Sequence, residues 1–580
     1  MKKKIKRILS VLLAVLMVIS VISLSAGATE IVANGTCGEN LVWTLDSEGT
    51  LTITGTGDME EFDHISHVPW SHEKDTVKKV IINSGVTSIT NNALEGMNEL
   101  KYVSISETVA EMDTFNSRNP FKDCDKLEEI FVNSENPFFK SDDGILYNKD
   151  MTVLRVYPSG KQGESFIIPE SVTKTGDEAF YGCKNLKDVY IPDSVTQLSL
   201  GVFSACSELV SVRLPDGISY IDQCTFLNCA KLTNVNIPYS VECIGVSAFC
   251  GCESLKEIDI HSNITSIRDG AFGGSGISTI TIDKNVEFIG SGAFGDCQSL
   301  IAIFADSDNL NFSSVDGVLY NKDKTALIQY PAGNTAKHFE IPEGVTEIKG
   351  YAFTGCNNLS DVKFPSTLTT IGDYAFKGCN NLSDVKFPVT LTTIGIYAFN
   401  GCNGLTSVAI PDGVTSLFGT FWECENLKSV TIPKSITSLS TFGYTFGSYL
   451  TDVFYMGTEK EWKNIEGHDE WYFDRATIRY NSCPHSGIVI QPAVEPACEE
   501  YGYTEGLVCP VCGVIKEQTQ IEATGHHFDE FLECTVCGVG LDCSCMCHQT
   551  GFMGFIWSIL RIFYMIFGMN PVCECGRAHY

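Results

Sequence analysis

The chain has 580 residues, 40 of them Lys or Arg and 71 Asp or Glu, for a formal net charge of −31. So acidic a surface is repelled by nucleic acid and by anionic lipid headgroups, which argues against both as partners. The length far exceeds what one hydrophobic core organises, and 25 cysteines point first to disulfides.

Residues 1–28 open with Lys2, Lys3, Lys4, Lys6 and Arg7, run apolar from Ile8 to Leu24 and close on Ala26-Gly27-Ala28. That order is expected of a secretory signal peptide cut after Ala28, with a retained membrane anchor as the other reading of the run. Without those five basic residues, 35 remain against 71 acidic ones, a net charge near −36.

Farther along, a phenylalanine returns at a constant interval: Phe180, Phe203, Phe226, Phe249, Phe272, then Phe294 one position early. After a gap the beat resumes at Phe353, Phe376, Phe399 and Phe421. Residues 357–379 and 380–402 differ at only three of 23 positions. Such a period marks a solenoid, whose units bury their faces against their neighbours and which binds through an extended surface. In Leu186-Lys-Asp-Val-Tyr-Ile-Pro192, Val189 and Ile191 alternate with exposed positions, the period of a strand, and Pro192 ends it. Val195–Leu198 suggests a second short strand, and the Ala-Phe-x-Gly-Cys phrase a single turn with the Phe in the core. The fold expected is a mainly β repeat solenoid of stacked parallel strands joined by short 3-10 or helical turns.

Two longer stretches interrupt the beat. Phe121, Cys124, Phe180 and Cys183 recur at identical spacing as Phe294, Cys297, Phe353 and Cys356. Phe121–Phe180 and Phe294–Phe353 are thus equal spans, each one repeat lengthened by the same insertion. The insertions, near 133–160 and 306–333, contain DGILYNKDMTVLRVYP and DGVLYNKDKTALIQYP. Alternating apolar residues around Asn-Lys-Asp indicate hairpins, expected to project from the solenoid edge.

Ten cysteines, from Cys124 and Cys183 to Cys402 and Cys424, share one place in the turn, just after the Phe, a place taken by Ser275 in one turn. Stacking would align them as a buried ladder of small hydrophobes, with pairing open on distance because turns lie ~4.8 Å apart.

The phrase L-x-x-V-x-I-P-x-x-V-T-x-I-G-x-x-A-F-x-G-C resembles the leucine-rich repeats of BspA-like bacterial surface proteins. Gly35–Gly38, Val42–Leu45, Gly49–Gly57 and Pro69-Trp70 resemble the module that precedes those repeats, and Val453–Gly457, Trp462, Ile465 and Ala476–Asn481 their closing unit. The resemblance therefore implies an N-terminal β module over 29–76, a leucine-rich-repeat solenoid over 77–456 and a cap over 457–481. It further implies export, surface display and adhesin-like binding to a host or microbial surface protein or glycan; with no catalytic motif in a suitable context, enzymatic activity is not expected. A spacer that assembles with its own kind in the envelope is the alternative.

The exposed strand positions form the candidate surface. They include Asp188/Tyr190, Ser211/Arg213, Asn234/Asn236, Glu257/Asp259, Ala302/Phe304, Asp361/Lys363, Asp384/Lys386 and Ser429/Thr431. Of these, Tyr190, Arg213, Asn234, Asn236, Phe304, Lys363 and Lys386 are the candidate ligand-binding residues, Tyr190 and Arg213 forming a conceivable patch. Glu257 and Asp259 read as solvated carboxylates, and no nucleophile elbow, zinc-protease motif or phosphate loop stands in a suitable context.

Residues 482–540 change character. Cys509-Pro-Val-Cys512 and Cys534-Thr-Val-Cys537, with His485 and His526 nearby, resemble a small zinc ribbon in which two thiolate pairs close a structural tetrahedral site. Pairing of Cys509 and Cys512 with the two histidines, disulfides, or reduced thiols are the other readings. In 541–580, the apolar stretch 551–569 lies between Cys543/Cys545/Cys547 and Cys573/Cys575. As a helix it would be ~29 Å long, about a bilayer's hydrocarbon thickness, so membrane or envelope association is expected through it, against a buried hairpin joining the two clusters.

Overall fold

The computed structural model describes residues 29–482, apart from 91, 113–118, 440–444, 448 and 469–472, together with short backbone strands as far as Ile521. These residues divide into two compact units. One draws on Met1–Thr406, Ser416–Leu427 and Ser440–Tyr449, the other on Ser407–Thr415, Lys428–Leu439 and Leu450–Tyr580.

The first unit is a β-solenoid. It starts on an antiparallel meander, Ile31–Thr36, Leu41–Asp46 and Thr50–Gly55, whose third strand pairs in parallel with Lys79–Ile82. From there the strands run parallel, one per turn, through Tyr102–Ile105 to Glu129–Val132. A later run joins Ser165–Ile167, Asp188–Tyr190, Ser211–Arg213 and Asn234–Val235. The second short strands form a ladder of their own: Tyr220–Ile221, Cys243–Ile244, Ser266–Ile267 and Phe288–Ile289.

The Phe beat has a direct physical meaning. Each of Phe180, Phe203, Phe226, Phe249, Phe272 and Phe294 is fully buried, and their rings stack at 5.0–5.7 Å. Burying one such ring contributes roughly 1.5–3 kcal/mol, and each stacked pair adds about 1. The turn that carries the ring also bonds to its neighbour: Phe180 N–H donates to Val202 O at 2.9 Å, and Phe203 N–H to Thr225 O at 2.9 Å.

The ladder cysteines do more than fill space. Cys206 donates its thiol to Phe180 O at 2.9 Å, Cys229 to Phe203 O at 3.0 Å and Cys379 to Phe353 O at 3.0 Å. The thiol thus satisfies a buried carbonyl of the preceding turn, which a methyl group of similar size cannot do. No described cysteine is paired in a disulfide. Ser275, where the thiol is missing, stays buried with its hydroxyl 3.6 Å from Cys297 Sγ.

The two insertions are not projecting arms. Phe139–Asp142, Ile145–Asn148 and Val153–Val156 form an antiparallel meander whose last strand pairs in parallel with Lys174–Thr175 of the following turn. Ile145, Leu146, Tyr147, Leu154 and Val156 are all buried, so apolar burial holds the segment in the body of the unit. Within each insertion a tyrosine takes the place of the core Phe. Tyr157 stacks on Phe180 and Tyr330 on Phe353, both at 5.2 Å.

The second unit stacks Ser407–Ala409, Ser429–Ile432, Asp452–Tyr455 and Thr477–Tyr480 in parallel. Helix Glu459–Trp462 begins with a capping box between Thr458 and Glu461, and Trp462 packs edge-on to Tyr455 at 5.2 Å. Beyond it, Val489–Gln491, Gly506–Cys509 and Gly513–Lys516 pair antiparallel.

Candidate binding surface

Alternation along each strand points Val189, Val212 and Val235 inward, leaving their neighbours as outward columns. Register places Ile167, Tyr190 and Arg213 side by side on three successive strands. Tyr190 is 43% exposed, and the Arg213 guanidinium lies over its ring, 5.2 Å from the centroid. The same guanidinium donates to Ile191 O at 2.9 Å and pairs with Asp193 at 2.8 Å, a bond that holds the Asp193 carboxyl below its ordinary range. Arg213 is therefore fixed and largely neutralised within its own chain.

Of the other candidates, Asn234 and Asn236 belong to the next strand along, and the rest lie apart from that pair. Asn234 is exposed opposite Ser211, and Asn236 is exposed just past the end of its strand. Phe304 stands 49% exposed opposite Thr281. Lys363 is held by Glu340 at 2.5 Å and Lys386 by Asp384 at 3.0 Å, and these carboxylates raise both ammonium pKa values. Exposed pairs of this kind contribute little stability, but they remove free cations from the face. Thr431, in the second unit, is buried rather than exposed; it lies opposite Phe454 in register. In that unit Arg479 sits over the Phe454 ring at 5.2 Å and bonds to Asp452.

Two aromatic features were not read from the sequence. Phe131, 46% exposed and opposite Ser104, extends the outward aromatics to an earlier turn; its alternating strand Glu129–Val132 was signal enough. On the second ladder, Tyr220 and Phe288 are 59% and 44% exposed, with Arg268 over the Phe288 ring at 5.1 Å.

Of the proposed metal ligands, Cys509 ends a strand in register with Gly513. Its side chain, together with Cys512, Cys534, Cys537, His485 and His526, lies outside the described residues, as do the apolar stretch 551–569 and residues 1–28. Among the described residues, no group of three or more His, Cys, Asp or Glu is placed to hold a metal, and no helix is long and apolar enough to cross a membrane.

The turn geometry has a family counterpart. Residues 71–150, 159–272, 221–316 and 330–449 match the model of the BspA type leucine rich repeat region, in six copies. The chain belongs to the BspA-type leucine-rich-repeat family. Among solved structures, these BspA-type turns are similar to a leucine rich cell surface protein from Faecalibacterium prausnitzii, at 25% identity over 76% of this chain and 99% of that one, with a TM-score of 0.43. They are also similar to the pneumococcal vaccine antigen PcpA, at 24% identity over 56% of this chain and 89% of that one (TM-score 0.43). A leucine-rich repeat protein from Bacteroides ovatus matches at 21% identity over 79% of this chain and 100% of that one, with a TM-score of 0.32. No curated protein matches the chain.

Proposed function

We propose that the protein is an exported bacterial surface scaffold that binds a host or microbial surface protein or glycan, and that it carries out no chemistry of its own. The observation that supports this most is the division of labour along each strand. The inward positions repeat Val and Ile, while the outward positions of neighbouring strands vary freely through Asp188, Tyr190, Ser211, Arg213 and Asn234. Recognition would be spread over many turns, each contributing modestly. The Cys-rich segment would fold around a structural zinc held by Cys509, Cys512, Cys534 and Cys537, and 551–569 would dock the protein to membrane or envelope.

The test is binding of the 29–580 chain to matrix proteins, mucins, glycans and bacterial envelopes, with Tyr190→Ala, Arg213→Ala and Lys363→Ala as single variants. Saturable binding that each variant weakens by less than about tenfold, some 1.4 kcal/mol, is the expected result. Abolition of binding to a protein ligand by any one of these three substitutions would overturn the distributed mode. Self-association with no foreign ligand would overturn the reading itself.

A further inference from the structure

Two residues before the core ring, turn after turn adopts a left-handed backbone. Gly270, Gly292 and Gly419 have φ values of 59°, 61° and 60° there, as glycine allows. Tyr351, Tyr374 and Tyr397 occupy the same place at 62°, 54° and 54°, at a cost of about 1 kcal/mol each. Their rings stack in a row, 4.9 and 5.2 Å apart.

The row ends on a hollow. Gly270 and Gly292, with Gly273 and Gly295 one residue after the core ring, supply no side chains across two successive turns and floor a depression of about 810 Å³. Tyr351 is its end wall. A Cβ on Gly292 would stand 3.0 Å from Tyr351 Cγ, so one side of the ring is turned to the glycine floor while the other stacks on Tyr374. On the rim, Gln298 Nε2 donates to Asp296 Oδ1 at 2.6 Å and to Gly355 O at 2.9 Å, which fixes both side chains before any ligand arrives.

The lining selects a ligand by exclusion. Glu253, Asp269 and Asp296 outnumber Lys377 around the hollow, so an anion is repelled. Lys377 Nζ lies 5.6 Å from the Tyr374 ring centroid, so the place for a cation on the tyrosine row is already taken by the chain's own ammonium. What remains is a neutral molecule with an apolar face for the ring and hydroxyls for Asp296 and Gln298. We propose that this hollow is a subsite for one pyranose unit of a neutral glycan, packed against Tyr351; the inference rests on the scaffold reading and names one of its ligands.

The test uses the 29–580 chain with a panel of neutral hexose and N-acetylhexosamine oligosaccharides, an arginine-rich peptide, a sulfated glycan and the protein ligands above. Two variants remove the site without a foreseeable loss of fold. Tyr351→Gly installs the residue already present at Gly292 and Gly419, and Gly273→Leu copies Leu227, which holds that place in another turn. A Cβ on Gly273 meets nothing closer than 3.4 Å. Saturable binding of a neutral oligosaccharide that both variants weaken at least tenfold, with the thermal midpoint held within a few degrees, is expected. Neutral-glycan binding indifferent to both variants overturns the subsite. So does variant-sensitive binding of the peptide or the sulfated glycan instead. If no glycan binds but a protein ligand does, the subsite fails and the scaffold stands; if nothing binds, both fail.

Discussion

Phe121 to Phe180 and Phe294 to Phe353 are two versions of one lengthened repeat, alike inside and different outside. Asn136 is fully buried, donates to Ser106 O and Val109 O at 2.8 Å and accepts from the N–H groups of Phe138 and Phe139. Asn309 repeats each role with Asp283 O, Val286 O, Asn311 and Phe312. Tyr157, Phe166 and Phe180 pack as Tyr330, Phe339 and Phe353 do. On the surface the two part. Where the second stretch has Gly295 and Tyr351 around its hollow, the first has Lys122 and Glu178, joined at 2.8 Å. Packing and backbone hydrogen bonds therefore dictate the inner residues of this module, while its outer positions accept either an ion pair or a cavity.

The largest expected effect falls on both stretches together. Burial pushes the Cys124 thiol up to about 12 and the Cys297 thiol to about 11, the latter restrained by hydrogen bonds from Ser275. A thiol raised by folding keeps its proton in the native chain, so its contribution is complete below the unfolded value near 9 and is lost as pH climbs toward 11 or 12. The unfolding free energy from urea titrations should fall from about pH 9 toward pH 11, by on the order of 1 kcal/mol per buried thiol per pH unit. Rapid alkylation mapped to Cys124 or Cys297 in the native protein at about pH 8 would contradict this. Next, Asn136→Ala and Asn309→Ala should each cost about 3 kcal/mol, because four backbone groups lose their partner. Unequal losses in denaturant titrations would break the equivalence of the two cores.

Lys122→Ala should cost roughly 2 kcal/mol, since the Glu178 side chain is only 12% exposed and its Oε2 is already without a partner. A melting curve superimposable on the parent's would show the pair to be ornamental. The smallest effect has the opposite sign. Tyr330 Oη is buried with no hydrogen bond, so Tyr330→Phe should stabilise by about 1 kcal/mol, and Tyr157→Phe by less. Calorimetry on both variants would settle the sign.

The core was legible because its signal is periodic: Phe180 through Phe294 and the matching cysteines announce stacked turns by spacing alone. The insertions misled for a related reason. Tyr157 and Tyr330 lie one full repeat before Phe180 and Phe353, on the beat, but a tyrosine does not register when the count follows phenylalanine. The hydrogen bond from Cys206 to Phe180 O was invisible because composition shows a thiol's size, not its acceptor. The hollow was harder still. It is made of side chains that are absent at Gly270, Gly273, Gly292 and Gly295, and of a contact between Gly292 and Tyr351 that bridges an entire insertion. Of the candidate ligand-binding residues, Tyr190 and Arg213 meet across one register row, while the Asp361–Asp384 bridge sets Lys363 and Lys386 in another, where each is held by a carboxylate.

The near-identity of residues 357–379 and 380–402 has an evolutionary corollary. The donors of one turn find their acceptors either within that turn, as Cys356 N–H does in Phe353 O, or in the adjacent one, as Phe353 N–H does in Ala375 O and Phe376 N–H in Ala398 O. Replication slippage that copies the codons of one whole repeat therefore inserts a unit already complementary to both flanks, with no reading-frame change and no orphaned polar group. Tyr374 and Tyr397 lie in just such sister copies, stacked at 5.2 Å. A lineage can lengthen or shorten this aromatic row one ring at a time, in single genetic events, while the core remains unaltered.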